Sequence, residues 1–157
     1  MIQRKQTVYL LLSSVLMLLL PFLDSFSVIT SDNVYNLNSL GFYNSSLGVE
    51  NLYQPTWGLF GLNVAVILLP LITIFLYKLR VLQMRLTIFS LLLKIGLLAL
   101  GAFYIYMFKE AHPKTVSMYA TPWIVLPVIS IVFDALAHRG IAIDERLIQY
   151  LNSGRLR

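Results

Sequence analysis

The chain of 157 residues contains no cysteine, only two histidines, and few charged side chains, 12% of the total. Without cysteine there is no disulfide, no thiolate nucleophile, no cysteine-ligated zinc and no iron–sulfur cluster, and the redox compartment is left open. His112 stands beside Pro113 with no second ligand at metal-binding spacing. No glycine-rich phosphate loop and no credible Ser-His-Asp grouping accompanies these histidines. These absences point away from an enzyme and give no reason to expect a metal or other cofactor. The shortage of charge also disfavours a soluble domain, for which about 25% charged and about 45–50% apolar residues are usual. Here 58% are hydrophobic, more than a soluble fold of this size can bury.

What is present is a series of long apolar runs, which predicts an all-α membrane protein, a bundle of four transmembrane helices in one domain. The spans are expected at about 7–29, 57–77, 86–108 and 119–140, each long enough to cross a hydrocarbon core of about 30 Å. Arg4, Lys5 and the run after them also fit a signal peptide, but Ser25-Phe26-Ser27 is a poor cleavage site. Pro21, Pro70 and Pro127 lie inside the runs and predict kinks. Trp57, Tyr77 and Trp123 stand where interfacial aromatics belong.

Residues 30–56 form the sizeable polar loop. The short β-friendly pieces 26–29, 34–37 and 41–43 suggest a small hairpin or irregular cap, with the loop aromatics packed on the helix ends. Residues 109–114 read as a polar turn. After Gly140, Asp144 is placed to cap a short amphipathic helix that presents Leu147, Ile148 and Leu151 to the membrane surface, within a tail of 141–157.

The net charge of +5 does not signal nucleic acid, because the cations are arranged by membrane face. Arg4, Lys5, Lys78, Arg80, Arg85, Arg139, Arg146, Arg155 and Arg157 share one side of a four-span chain, Lys109 and Lys114 the other. The positive-inside bias therefore puts both termini and the 78–85 connector in the cytoplasm. On that topology Lys94 lies about 12 Å up the third helix from its cytoplasmic end, and Asp134 about 9 Å up the fourth. Opposite charges at similar depth on antiparallel neighbours are expected to pair, since each alone costs roughly 3 kcal/mol in the bilayer. The competing expectation is that each snorkels to the interface. A relay for protons or ions is the stronger functional reading of the same two residues.

Three segments carry a resemblance: residues 1–10, the motif Tyr77-Lys78-Leu79-Arg80-Val81-Leu82-Gln83-Met84-Arg85-Leu86, and Arg139-Gly140-Ile141-Ala142-Ile143-Asp144-Glu145-Arg146-Leu147 with a terminal Arg155-Leu156-Arg157. Together they resemble the domain-of-unknown-function 4293 family, small four-span inner-membrane proteins of Bacteroidota. Asn152-Ser153-Gly154 departs from the serine-alanine-aspartate run of that family. The resemblance implies topology and compartment rather than chemistry: a multi-pass protein of the bacterial inner membrane.

All three motifs fall on the cytoplasmic side. Arg4, Lys78, Arg80, Gln83, Arg85, His138, Arg139, Asp144 and Glu145 are therefore expected to form a rim that docks a protein partner or binds lipid headgroups. Asp144 and Glu145 are the expected partners of Lys78, Arg80 or Arg85, with the C-terminal segment folded back on the connector. The function this favours is an accessory or structural subunit of a larger membrane complex. The alternatives are a small transporter or proton-coupled subunit using Lys94 and Asp134, and a lipid-binding or lipid-modifying protein using His138, Asp144 and Glu145.

Overall fold

The computed structural model describes residues 5–31, 33–45, 51–77, 79–112 and 115–154. Four helices are long and apolar enough to cross a membrane: α1 (Lys5–Leu19, extended by a 3-10 turn at Leu20–Phe22), α2 (Trp57–Phe75), α3 (Arg80–Ala111) and α4 (Val125–Gly154, preceded by a 3-10 turn at Pro122–Ile124). α1 packs on α2 and α4, and α3 packs on the same two helices, so the four close into a ring.

The distribution of polarity is inverted relative to a soluble bundle. Gln83, Thr87, Ser90 and Lys94 form the buried stripe of α3, while Ile88, Phe89, Leu92 and Ile95 face outward and are about half exposed. Ser13, Asn63, Thr73, Ser130 and Asp134 are buried on the other helices. In water such an arrangement would expose apolar surface and desolvate polar groups, a double penalty. In lipid the outward face costs nothing, and inward polar groups hold helices together through hydrogen bonds.

The fold is not all-α. Five strands cap one end of the bundle: β1 (Phe26–Thr30), β2 (Val34–Leu37), β3 (Gly41–Asn44), β4 (Asn51–Pro55) and β5 (Thr115–Ala120). They make one antiparallel sheet in the order β4-β3-β2-β1-β5. The expected hairpin segments become β1, β2 and β3. The β2–β3 turn is closed by Asn38, whose side-chain oxygen accepts from the amides of Leu40 and Gly41 at 2.9 and 3.1 Å. β4 and β5 were not expected. β5 pairs with β1 from Phe26↔Ala120 to Thr30↔Thr115 and so bridges the two loops of the capped end.

The helix bounds differ from three of the four expected spans. The first helix stops at Leu19 rather than near 29, because Pro21 forces the 3-10 turn and the β-branched Val28, Ile29 and Thr30 go into β1. The third is longer at both ends, so the 80–85 motif is helical and 109–111 is not a turn. The fourth begins at Val125 rather than 119, since 115–120 is a strand. It then runs through Gly140 to Gly154 without a break, so the expected separate amphipathic helix is a continuation of α4. At about 45 Å, α4 outruns a core of about 30 Å.

An aromatic cluster joins sheet to bundle. Phe108, near the end of α3, stacks on Phe42 of β3 at 4.2 Å between ring centroids and on His112 at 4.3 Å, and meets Tyr35 edge-on at 5.2 Å. The Tyr53 hydroxyl lies 3.2 Å from His112 Nε2, and His112 Nδ1 lies 3.1 Å from the Phe108 carbonyl oxygen. His112 is thus tied into the cap rather than standing in an open turn, and Tyr35, Phe42 and Tyr53 pack on a helix end, as expected.

Candidate functional site

The polar centre of the bundle is built by three helices. Lys94 and Asp134 meet at 2.6 Å between Nζ and Oδ2, each with no accessible surface. Helical geometry places a serine one turn from each charge on the same face, Ser90 before Lys94 and Ser130 before Asp134. Ser13 of α1 completes the group. Its hydroxyl donates to Asp134 Oδ1 at 2.5 Å and accepts from Lys94 Nζ. Ser90 donates to Asp134 Oδ2 at 2.8 Å. The Ser130 hydroxyl lies 2.9 Å from the Ser13 hydroxyl and 3.2 Å from the Ser13 carbonyl. The carboxylate therefore receives three donors, and all five residues are fully buried.

Such a site stabilises the charged pair through hydrogen bonds that water would otherwise supply. The direct contact decides for pairing over snorkelling. Ser13 is eight residues, about 12 Å, from the start of the first span, Lys5–Phe22, which agrees with the depth expected for Lys94 from its spacing along α3. The three serines were missed by sequence reading. The signal was available as a serine four residues before each intramembrane charge, at Ser90/Lys94 and Ser130/Asp134.

The end of the bundle opposite the sheet holds the motif residues, and the structure distributes them unevenly. Arg80 donates from Nη1 to the backbone oxygen of Asp144 at 3.3 Å, so α4 does lie against the start of α3. The Asp144 carboxylate, however, takes its bond from Gln6 Nε2 at 2.8 Å, and Glu145 accepts from Gln149 at 3.2 Å. Asp144 and Glu145 thus make these contacts in place of the expected carboxylate–arginine bridges.

Gln83 is not on the rim surface. It is buried, and its amide donates to the Thr73 carbonyl at 3.1 Å, tying the end of α2 to α3. Arg85 and Arg139 are exposed. Arg85 lines a cleft with Leu79, Arg80, Val81, Leu82, Glu145 and Ile148. His138 keeps a buried Nδ1 without a hydrogen-bond partner. It stands six residues, about 9 Å of helix, from Asp144. Arg4, Lys78 and the terminal Arg155-Leu156-Arg157 lie outside the described residues.

Gly140, expected at a helix end, lies within α4 directly beneath Gln6. A Cβ there would come within 2.8 Å of Gln6 Cγ, so the glycine lets α1 approach and lets Gln6 reach Asp144. The first and third motifs are thus a packed helix–helix contact, with the second joining through Arg80. No grouping of three or more histidine, aspartate or glutamate side chains suited to a metal occurs among the described residues.

A comparison with curated proteins finds no match. The sequence profile of one family, described as domain of unknown function (DUF4293), matches residues 2–153. The three motifs, four apolar helices and near-complete coverage converge, and the chain belongs to the DUF4293 family.

Proposed function

We propose that the protein is an accessory subunit of a larger complex in the bacterial inner membrane, with both termini in the cytoplasm, which docks a protein partner through the projecting end of α4. The observation that carries this reading is a row of exposed apolar side chains. Ile143, Leu147 and Leu151, at i, i+4 and i+8, are 58%, 57% and 65% exposed. Leu151 lies seven residues, about 10 Å, beyond Asp144, where Gln6 and Arg80 also meet α4. The headgroup layer accounts for about 5–8 Å of that distance. On that measure Leu147, about 4.5 Å beyond Asp144, is still in the headgroup layer and Leu151 clears it, so the free end of the stripe needs another protein to cover it. The adjoining cleft, with Arg80, Arg85 and Glu145 above Leu79 and Ile148, supplies polar groups beside that stripe.

The charge count supports the orientation, and the cysteine-free chain makes it simple to test. In intact inner-membrane vesicles of right-side-out orientation, a membrane-impermeant maleimide is expected to label Asn51→Cys in the sheet and to spare Gln149→Cys. The reverse pattern would invert the topology. For docking, the full chain is cross-linked in cells and purified in mild detergent. A partner complex that forms with the parent protein and is lost in Leu147→Ser/Leu151→Ser, with helix content unchanged, supports the reading. Equal recovery in both proteins would remove α4 as the docking element.

The relay reading has less support. Lys94 and Asp134 are fully buried and surrounded by serine donors, and proton or ion exchange needs a wetted route to at least one of them.

A further inference from the structure

Between sheet and bundle lies a cavity of about 190 Å³. Its floor is formed by Leu97, Leu98, Gly101 and Ala102 of α3 with Leu59 of α2, its side by Ile124 and Pro127, and its roof by sheet and turn residues that include Leu37 and Ser39. The walls are apolar except on the sheet side, where Ser25, Asn38 and Ser39 stand. Apolar cavities of about 150 Å³ stay dry and accept a molecule the size of benzene, so this one is large enough for a hydrocarbon segment.

Two further features identify what enters it. The first is the mouth. Ala102 is the exposed member of the lining, and it lies on the outward stripe of α3 with Ile95, Ala99 and Tyr106. That stripe is the outward, apolar side of a helix of membrane-spanning length, so an opening beside Ala102 faces the surface that lipid would cover. The second is Gly101. Glycine in a helix interior costs about 1 kcal/mol relative to alanine, and it is commonly repaid by close packing. At Gly58 and Gly140 a Cβ would meet a neighbour at 3.1 and 2.8 Å, but at Gly101 the nearest atom is Leu59 Cδ2 at 4.0 Å. Gly61 and Gly96 likewise have no atom within 4 Å of a built Cβ, but Gly101 is the one of the three that lines the cavity, so a larger side chain there would take up its space.

We propose that the cavity binds one hydrocarbon chain of a membrane phospholipid, entering beside Ala102 with the polar end of the lipid toward the sheet. The chain fills the space under the cap and couples the sheet to the bilayer. The proposal requires only that the four helices lie in lipid, and it is independent of docking by α4.

The test uses the full chain reconstituted in phosphatidylcholine vesicles containing a phospholipid with a photoreactive diazirine in one acyl chain. After irradiation, peptide mapping is expected to find adducts on Leu37, Leu59 or Leu97, which are buried and line the cavity. Gly101→Leu fills the space and should abolish these adducts while leaving those on Ile95 and Tyr106. Gly96→Leu, at a position with no atom within 4 Å of a built Cβ, should leave both sets. Gly101→Ala, which the 4.0 Å gap accommodates, provides a folded variant with partial loss. Adducts confined to exposed residues in the parent protein, or buried adducts undiminished in Gly101→Leu, would overturn the proposal.

Discussion

Asp134→Ala is expected to destabilise the protein by about 3–5 kcal/mol, the cost of leaving one member of a buried ion pair without its partner. The substitution strands the Lys94 ammonium inside the bundle and removes the acceptor for Ser13 and Ser90. Lys94→Met should be comparably damaging, since Asp134 keeps two hydroxyl donors but loses its counter-charge.

The double variant Lys94→Met/Asp134→Leu is expected to recover most of the loss, because apolar replacement of a whole buried pair is often neutral. The serines can then bond to carbonyls one turn back on their own helices. Reversible unfolding in mixed micelles measures all three. A single variant within about 1 kcal/mol of the parent protein would show that the pair is not a structural centre. A double variant that folds normally but destroys a cellular function would transfer Lys94 and Asp134 from structure to a relay.

The second large effect is expected at Phe108. Truncating a buried phenylalanine costs about 3–5 kcal/mol, and Phe108 is the residue through which the sheet grips the bundle. Its ring contacts Phe42, Tyr35, Tyr53 and His112. Phe108→Ala should therefore loosen the cap selectively. Hydrogen exchange is expected to accelerate in β2 and β3 while the amides around Lys94 and Asp134 remain protected. Phe108→Leu, which keeps part of the volume, should show a smaller change. Uniform acceleration through sheet and helices would mean that cap and bundle form one cooperative unit. Unchanged exchange in the sheet would show that the aromatic contacts do not hold it.

The two regions differ in how much of them could be read beforehand. The approach of Lys94 to Asp134 was legible because a tight hairpin topology turns residue spacing into depth, and opposite charges at matching depth have a reason to meet. Their serines were not legible, because serine barely alters hydropathy and nothing local says which face of a helix turns inward. Gln83 shows the same limit. It sits in a cationic motif, yet helix packing directs it toward the Thr73 carbonyl. The strand β5 was hidden for another reason. Thr115–Ala120 alternates as a strand can, but it adjoins an apolar run, and its partner β1 lies some ninety residues earlier in the chain.

Composition and the lengths of the apolar runs suffice to establish four helices of membrane-spanning length, because partition into lipid depends on the average polarity of consecutive residues. The fold of the cap, the inward faces of the helices, the serine shell and the cavity beneath the sheet were decided by tertiary structure. Each depends on contacts between residues far apart in the chain, where packing and hydrogen-bond satisfaction select one arrangement among many that the same local patterns allow.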